Sequence, residues 1–221
     1  MILKRASLKA IKYSTQVFHY AKTRPGNSVI SYSVFNNKNE WCGCIVYGSG
    51  ACPAIGDAYN LKHGQIIELV RMALNGKQES TSKALAISLK LVKKHCPTVK
   101  MIVSYADEGQ NHKGIIYQAT NWYYVGRRKS TGVEYFYKGK WRHQKTMNDR
   151  KSRTGLKIDH LEKRKATSKL KYMYPFYKEQ RNLLEKICKP YPKKLGIDGV
   201  KVAQLTTSKK AEVQYLPQCS N

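Results

Sequence analysis

The sequence predicts a mixed α/β fold, a largely antiparallel sheet flanked by helices, with a basic carboxyl-terminal extension. Three observations carry that prediction. The β runs Ser28–Phe35 and 40–47 flank a polar turn at 36–39 and read as an antiparallel hairpin. A further strand, Ile66–Leu74, is followed by an amphipathic segment at about Thr81–His95 and then by an apolar run at 99–105. From Thr146 onward the composition turns polar and basic.

Taken in order, residues 2–20 carry Ile2, Leu3, Leu8, Ile11 and Val17 at loosely helical spacing. Pro25 and Gly26 mark a turn before the hairpin, and 48–65 reads as loop, with Gly48, Gly50, Pro53 and Gly56. The polar loop 75–82 opens the helix, with Ser80, Thr81 and Ser82 as candidate N-caps and Leu85, Leu89 and Val92 as its apolar face. Pro97 ends it. A short helix is expected at 111–121, a strand at 122–126, and a β run at 134–144 with a Lys-Gly turn. Residues 156–171 read as a charged helix and 179–188 as another. The expected organisation is a core at 1–145, a basic helical extension of the same domain at 146–194 and a loosely ordered tail at 195–221.

The 221 residues are 41% hydrophobic, enough for a real core, yet carry a net charge of +27. Residues 1–125 hold 16 basic and 6 acidic side chains, whereas 126–221 hold 25 basic and 8 acidic. Such an excess makes a polyanion the default partner. The basic half is rich in tyrosine (Tyr135, Tyr137, Tyr172, Tyr174, Tyr177, Tyr191), which suits stacking on bases and equally suits a sheet core. The six cysteines include no C-x-x-C pair, and no apolar run approaches 18 residues. The expectation is a reducing cytoplasm, free thiols and no membrane segment.

The densest chemistry lies at 102–126, IVSYADEGQNHKGIIYQATNWYYVG. Ser104, Tyr105 and Asp107 end a strand, with His112 and Tyr117 soon after. Ligands of open α/β sheets bind at the carboxyl ends of strands. Asp107 is a candidate general base or, alternatively, a cap for the bend at 109–111. Arg71 interrupts an apolar strand, so it needs an acid or an anionic ligand. Asp107 is the expected partner. Glu68, three residues earlier, is placed by strand alternation on the opposite face.

The order strand, loop, helix, strand, helix, strand, strand resembles the core of the GNAT acyltransferase fold. Over residues 18–193 the chain resembles the Mom family of phage DNA-modification proteins. The resemblance rests on His19-Tyr20, on ELVRMAL with Arg71 and on Gln78-Glu79-Ser80 before the helix. It rests further on SYAD, on G-x-x-Y-Q-A-T-N-W-Y-Y-x-G from Gly114, and on KPYPK from Lys189. It implies conversion of adenine in double-stranded DNA to a carbamoylmethyl derivative at the exocyclic nitrogen, in the host cytoplasm, as protection from restriction. It also implies acetyl-CoA as the source of the two-carbon unit, and a dependence on iron with His19 the first ligand to test.

The implied catalytic set is His19, Tyr20, Arg71, Asp107 and Tyr117, with Tyr117 protonating the leaving thiolate. Leu74, Lys77, Ser80, Thr81 and Lys83 are the implied cofactor-binding residues, in a loop with one glycine, Gly76, where GNAT proteins have several. Arg127, Arg128, Lys129, Arg150, Lys151 and Arg153 are the implied DNA contacts. The target amine is paired in a duplex, so the base must be turned out, and Trp122, Tyr123 and Trp141 are candidates to line its pocket. A homodimer is common for this fold. Two alternatives stay open: N-acetyl transfer to RNA or protein, and a non-catalytic DNA-binding protein on the same scaffold.

Overall fold

Residues 1–50, 53–128 and 132–192 are described by the computed structural model, and strand alternation organises them. The chain opens with β1 (Ile2–Arg5) and α1 (Leu8–Val17), then the hairpin β2 (Ser28–Phe35) and β3 (Trp41–Gly48). Next come β4 (Ile66–Leu74), α2 (Thr81–His95) and β5 (Met101–Asp107). The one-turn helix α3 (Ile115–Gln118) leads to β6 (Tyr123–Arg128). An insert of β7 (Val133–Tyr137), β8 (Lys140–His143), α4 (Gln144–Thr154) and β9 (Lys163–Lys165) precedes β10 (Lys169–Pro175) and α5 (Lys178–Ile187).

The main sheet has seven strands in the order β1-β2-β3-β4-β5-β10-β6. Its one parallel pair is β4 with β5; the others are antiparallel. This is the mixed, largely antiparallel sheet that the sequence predicts. β7, β8 and β9 form a separate three-stranded sheet.

Both faces of the main sheet are covered. On one, α2 lays Ala84, Leu85, Leu89 and Val92 against Tyr32, Tyr47, Ile67, Leu69 and Ile102. Each fully buried aliphatic side chain there contributes roughly 1.5–3 kcal/mol. Ser80 caps α2 by accepting the Lys83 N–H at 3.2 Å, and Lys93, Lys94 and His95 sit in its last turn, where the helix dipole favours cations. On the opposite face, Ile11 of α1 meets Cys44 and Val46. Leu184 of α5 meets Met101, Val103 and Met173.

Two predicted elements are corrected. Residues 2–20 divide into a strand and a helix, because β1 pairs with β2 from Ile2↔Phe35 to Arg5↔Tyr32 before Ser7 caps α1. The charged helix expected at 156–171 does not form. Leu156, Ile158 and Leu161 pack instead under the small sheet. Lys169–Pro175 is a strand inserted between β5 and β6, so the basic segment after 146 holds a sheet strand as well as helices α4 and α5. Its Leu170 and Tyr172 join the α2-side core while Met173 faces α5. Tyrosine-rich alternation favours a strand. The lysines conceal that alternation: Lys171 lies along the Tyr59 ring and donates to its hydroxyl at 2.7 Å. The tail read at 195–221 lies outside the described residues.

One buried contact predicts an asymmetry. Ser88 donates to the Leu85 carbonyl at 2.7 Å, so the Tyr47 hydroxyl donates to Ser88 at 2.6 Å, in a fully buried setting. Ser88→Ala strands the tyrosine hydroxyl and is expected to cost about 1–3 kcal/mol. Tyr47→Phe removes that donor and is expected to cost less than Ser88→Ala. Urea unfolding of both variants measures the difference, and equal losses contradict the account.

Candidate functional site

A cleft of about 410 Å³ opens where β4 and β5 part. The two strands are paired only from Ile66↔Met101 to Glu68↔Val103, although each continues to Leu74 and Asp107. Just beyond the pairing, β4 bulges: Leu69 pairs with Tyr47 and Arg71 with Val46, leaving Val70 as the extra residue. The bulge resets the side-chain alternation. Leu69 and Met72 both face the α2 core, and Glu68 and Arg71 both line the cleft. The expectation that Glu68 and Arg71 face opposite ways is therefore overturned, because simple alternation fails across the extra residue.

The parted strands are bridged by one side chain. The Ser104 hydroxyl donates to the Leu69 carbonyl at 2.9 Å. Its lone pair then accepts from the Tyr117 hydroxyl at 2.8 Å. Tyr117 comes from α3, and its ring lies 5.0 Å from those of Trp122 and Tyr172. Burial pushes its pKa up to about 12, so Tyr117 keeps its proton at neutral pH. Gly114 starts α3 with φ +72, and a Cβ there would stand 2.3 Å from the Tyr172 ring. Only glycine lets α3 settle so close to β10.

The cleft gathers His19, Tyr20, Arg71, Asp107 and Tyr117, all five residues of the implied catalytic set. Tyr20 stacks on His19 at 4.3 Å and meets His112 edge-on at 5.9 Å. Burial, then Arg71, hold the His19 pKa down at about 4. His19 is therefore neutral near pH 7. Its Nδ1 accepts the Ala21 N–H at 3.1 Å, which leaves the ring proton on Nε2. Burial followed by the Asp107 charge raises the Tyr20 pKa.

Asp107 and Arg71 line the same cleft without an ion pair, which corrects the predicted partnership. The Asp107 Oδ1 instead accepts from the Gly109 N–H at 2.9 Å and the Thr167 hydroxyl at 2.8 Å, so the turn-capping role is real. Arg71 donates through Nη1 to the Val70 carbonyl at 2.7 Å. Its Nε is buried and, among the described residues, has no hydrogen-bond partner. Arg71 lines the cleft, and a cation on its wall suits an anionic ligand.

The basic insert is rooted on the rim of this cleft. Lys169 pairs with Arg128 on one side and Asp107 on the other, and it lines the cleft itself. Glu108 fastens the roots: it accepts from Arg127 at 2.8 Å and from the Ser168 hydroxyl. The motif at 114–126 is also clasped by residues 189–191. The Tyr191 hydroxyl donates to the Trp122 carbonyl at 2.6 Å, and the Lys189 N–H to that of Tyr124 at 2.7 Å.

The Mom protein family matches residues 1–193. The chain belongs to that family. A stretch of 137 residues is 31% identical to the methylcarbamoylase mom of Escherichia phage Mu, covering 60% of this Mom-family chain. It covers 56% of that protein, just over half its length. Among solved structures, Arabidopsis thaliana NAA60 in complex with a bisubstrate analogue is similar at 9% identity and a TM-score of 0.49, over 80% of this chain and 99% of that one. Mutant forms of the spermidine/spermine N-acetyltransferase SpeG from Vibrio cholerae are similar at 7% identity and a TM-score of 0.48, over 82% and 98%. Likenesses of that size carry no functional argument.

The other implied residues scatter more widely. Of the cofactor set, Thr81 lines the cleft. Ser80 is spent capping α2, Lys77 and Lys83 are exposed beside the helix start, and Leu74 is half-buried against the main core. Arg150 lies over the Tyr137 ring, Lys151 is 3.9 Å from Asp159, and Arg153 donates to the Asp149 carbonyl. All three are exposed on α4, and Lys129 lies outside the described residues. Trp122 cannot line a base pocket, since it is fully buried behind Tyr117. Tyr123 turns to Glu185 on α5, and Trp141 belongs to the insert sheet.

The residues present do not fit an iron centre. Among the described residues no three of His, Cys, Asp and Glu group to hold a metal, and His19 has Arg71 as its neighbour. Among the described residues, too, no helix is long and apolar enough to cross a membrane. Three residues that build the site stand outside the implied set. Ser104 was visible as the hydroxyl of SYAD, whereas Thr167 and Lys169 come from a segment whose strand is hard to read.

The His19 environment predicts a pH effect. A pKa lowered from 6.5 to about 4 means that the unfolded chain takes up a proton first as pH falls. Stability from this group is complete above about pH 6.5 and declines towards pH 4. The decline is on the order of 1–2 kcal/mol after solvent screening. His19→Gln lacks that titration. The stability difference between wild type and His19→Gln, measured by urea unfolding, is expected to shrink across this window. Parallel pH profiles contradict the assignment.

Proposed function

We propose that this Mom-family protein is a DNA-modifying transferase. It turns adenine of double-stranded DNA into the N6-carbamoylmethyl derivative, in the host cytoplasm, and so protects phage DNA from restriction. Acetyl-CoA gives the two carbons, an ammonia-level donor displaces the thiol to give the amide, and a two-electron oxidant takes up the two hydrogens lost when the methyl carbon bonds to the exocyclic nitrogen. The supporting observation is the union of two features on one rim: a strand-end cleft lined by Arg71, and a basic insert. Residues 133–165 carry 11 Lys and Arg against 4 Asp and Glu. A cleft alone suits any small-ligand transferase, and a basic insert alone suits any nucleic-acid binder. Their shared root at Asp107, Arg128 and Lys169 favours chemistry on a polyanion.

The residues fit acetyl-CoA. Arg71 on the cleft wall, the opening turn of α2 with Thr81, and the exposed Lys77 and Lys83 are groups suited to its phosphates. Acetyl-CoA supplies an activated two-carbon unit on a thiol leaving group. Tyr117, held protonated and oriented by Ser104, is the proton donor to the departing sulfur. His19, neutral and protonated on Nε2, serves as a hydrogen-bond donor to a carbonyl oxygen rather than as a base. Asp107, steadied by Thr167 and Gly109, accepts from the exocyclic amine of a base turned out of the duplex.

The test is expression in bacteria, digestion of genomic DNA to nucleosides and mass spectrometry, with Asp107→Ala and Tyr117→Phe beside the wild type. The expected result is a deoxyadenosine heavier by one carbamoylmethyl group, absent in Asp107→Ala and formed roughly 10²–10⁴-fold more slowly in Tyr117→Phe. Unmodified DNA from cells holding soluble wild-type protein, with acetyl transfer to RNA or protein amines instead, overturns the proposal.

A further inference from the structure

β10 enters the main sheet through a row of three in-register residues. Its first residue, Lys169, stands opposite Asp107 of β5 on one side and Arg128 of β6 on the other. Residues directly opposite on antiparallel strands share a face, so an acid and two cations lie side by side on strands about 5 Å apart. Asp107 and Lys169 line the cleft, and Arg128 stands one strand further out. Neither cation is neutralised. Both are exposed, and among the described residues neither forms an ion pair. The Asp107 Oδ1 is taken by the Gly109 N–H and the Thr167 hydroxyl instead. Arg127 differs: it is held by Glu108 and pairs with Leu170, on the other face. Lys171, two residues along β10, adds a third cation to the Lys169 face. Burial first, and the charge of Arg128 after it, lower its pKa.

Like charges gathered without an acid repel one another, and an anion between them relieves the repulsion. The position of the row says which anion. An adenine whose exocyclic amine reaches Asp107 leaves its sugar and phosphate at the mouth of the cleft, and Lys169 is the next side chain outwards in register. A base leaves the stack by rotation about its backbone, so a grip on the adjoining phosphate fixes the axis of that rotation. We infer that Lys169, backed by Arg128, is the seat for the backbone phosphate of the nucleotide whose base is turned into the cleft. This rests on the reading of DNA as the substrate. The phosphates of acetyl-CoA are the other source of the same chemistry. The groups suited to them open α2, which packs on the face of Leu170 and Tyr172, whereas Lys169 shares the opposite face with Met173.

Three measurements test the seat without any modification reaction. Anisotropy titrations follow a DNA duplex at several salt concentrations, and calorimetry follows coenzyme A. A duplex with 2-aminopurine in place of its adenines reports base turning, because that base brightens when it leaves the stack. Lys169→Ala is expected to lower the slope of log affinity against log salt by about one. It is expected to reduce the brightening at saturating protein at least about twofold, and to leave coenzyme A binding unchanged. Lys169→Arg is expected to restore slope and brightening. Lys90→Ala, which removes an exposed lysine of α2, is expected to alter neither. An unchanged thermal unfolding midpoint establishes that Lys169→Ala is folded. Equal slope and brightening in wild type and Lys169→Ala, or a lowered slope with full brightening, overturns the seat. So does a wild type that binds the duplex without brightening it. Weaker coenzyme A binding with unchanged DNA binding assigns the phosphate to the cofactor and overturns it too. A wild type that binds no DNA overturns the DNA reading with it. Unmodified adenine in cells together with the expected Lys169→Ala effects sinks the enzymatic reading alone.

Discussion

Two parallel strands that pair for three residues and then diverge leave backbone groups without ladder partners, and buried groups of that kind must be satisfied. The Ser104 hydroxyl meets this need at Leu69, the first residue past the last β4–β5 pair. Because its proton is spent on the carbonyl, the same oxygen accepts the proton of Tyr117. One hydroxyl thereby holds the gap open at a fixed width and orients the residue that faces into it. The bulge at Val70 belongs to the same arrangement. It turns Arg71 into the cleft beside Glu68 while Leu69 and Met72 keep the core continuous underneath.

The net charge of +27 is less informative as a sum than as a layout. Three of its arginines are tied down at the surface: Arg127 with Glu108, Arg164 with Glu134 and Trp141, Arg150 with Tyr137. Exposed pairs of this kind contribute little stability, about 0–1 kcal/mol each, but they order long side chains. A cation held in place presents a polyanion with a fixed surface. That surface grows out of the strand ends that build the cleft, so a polyanion held there, as proposed, would lie beside the cleft.

Much of this was legible in the sequence. The hairpin, the strand–helix–strand unit and the helix caps follow from periodicity and from Ser80, and the residues of SYAD, Arg71 and His19-Tyr20 converge on one cleft. What escaped has physical reasons. β10 carries Lys169 and Lys171 inside its alternation, and a lysine can lie in a sheet by running its stem along an aromatic ring, as Lys171 does on Tyr59. β1 is four residues long and borders a helix of similar polarity, so no period separates the two. The bulge leaves no mark on composition, and it alone decides which way Glu68 and Arg71 face. Trp122 looked like a ligand-facing aromatic, yet it is the largest fully buried side chain, and burial is not encoded by residue type.

The protonation of the cleft follows from a single cause. Burial is the first cause of the raised pKa values of Tyr20 and Tyr117 and of the lowered one of His19, and in all three it favours the uncharged form. Near pH 7 His19, Tyr20 and Tyr117 therefore stand in the cleft as uncharged hydrogen-bond donors beside Arg71 and Asp107. Such donors respond to charge that develops on an oxygen or a sulfur, and they gain strength as water leaves. An anionic ligand seated on Arg71 would displace water from the same cleft, which deepens the burial behind each shift, while its charge adds to the rise at the tyrosines and offsets the effect of Arg71 on His19. Binding and activation are then one event, and the parted strands that admit the ligand are also what tunes the groups around it.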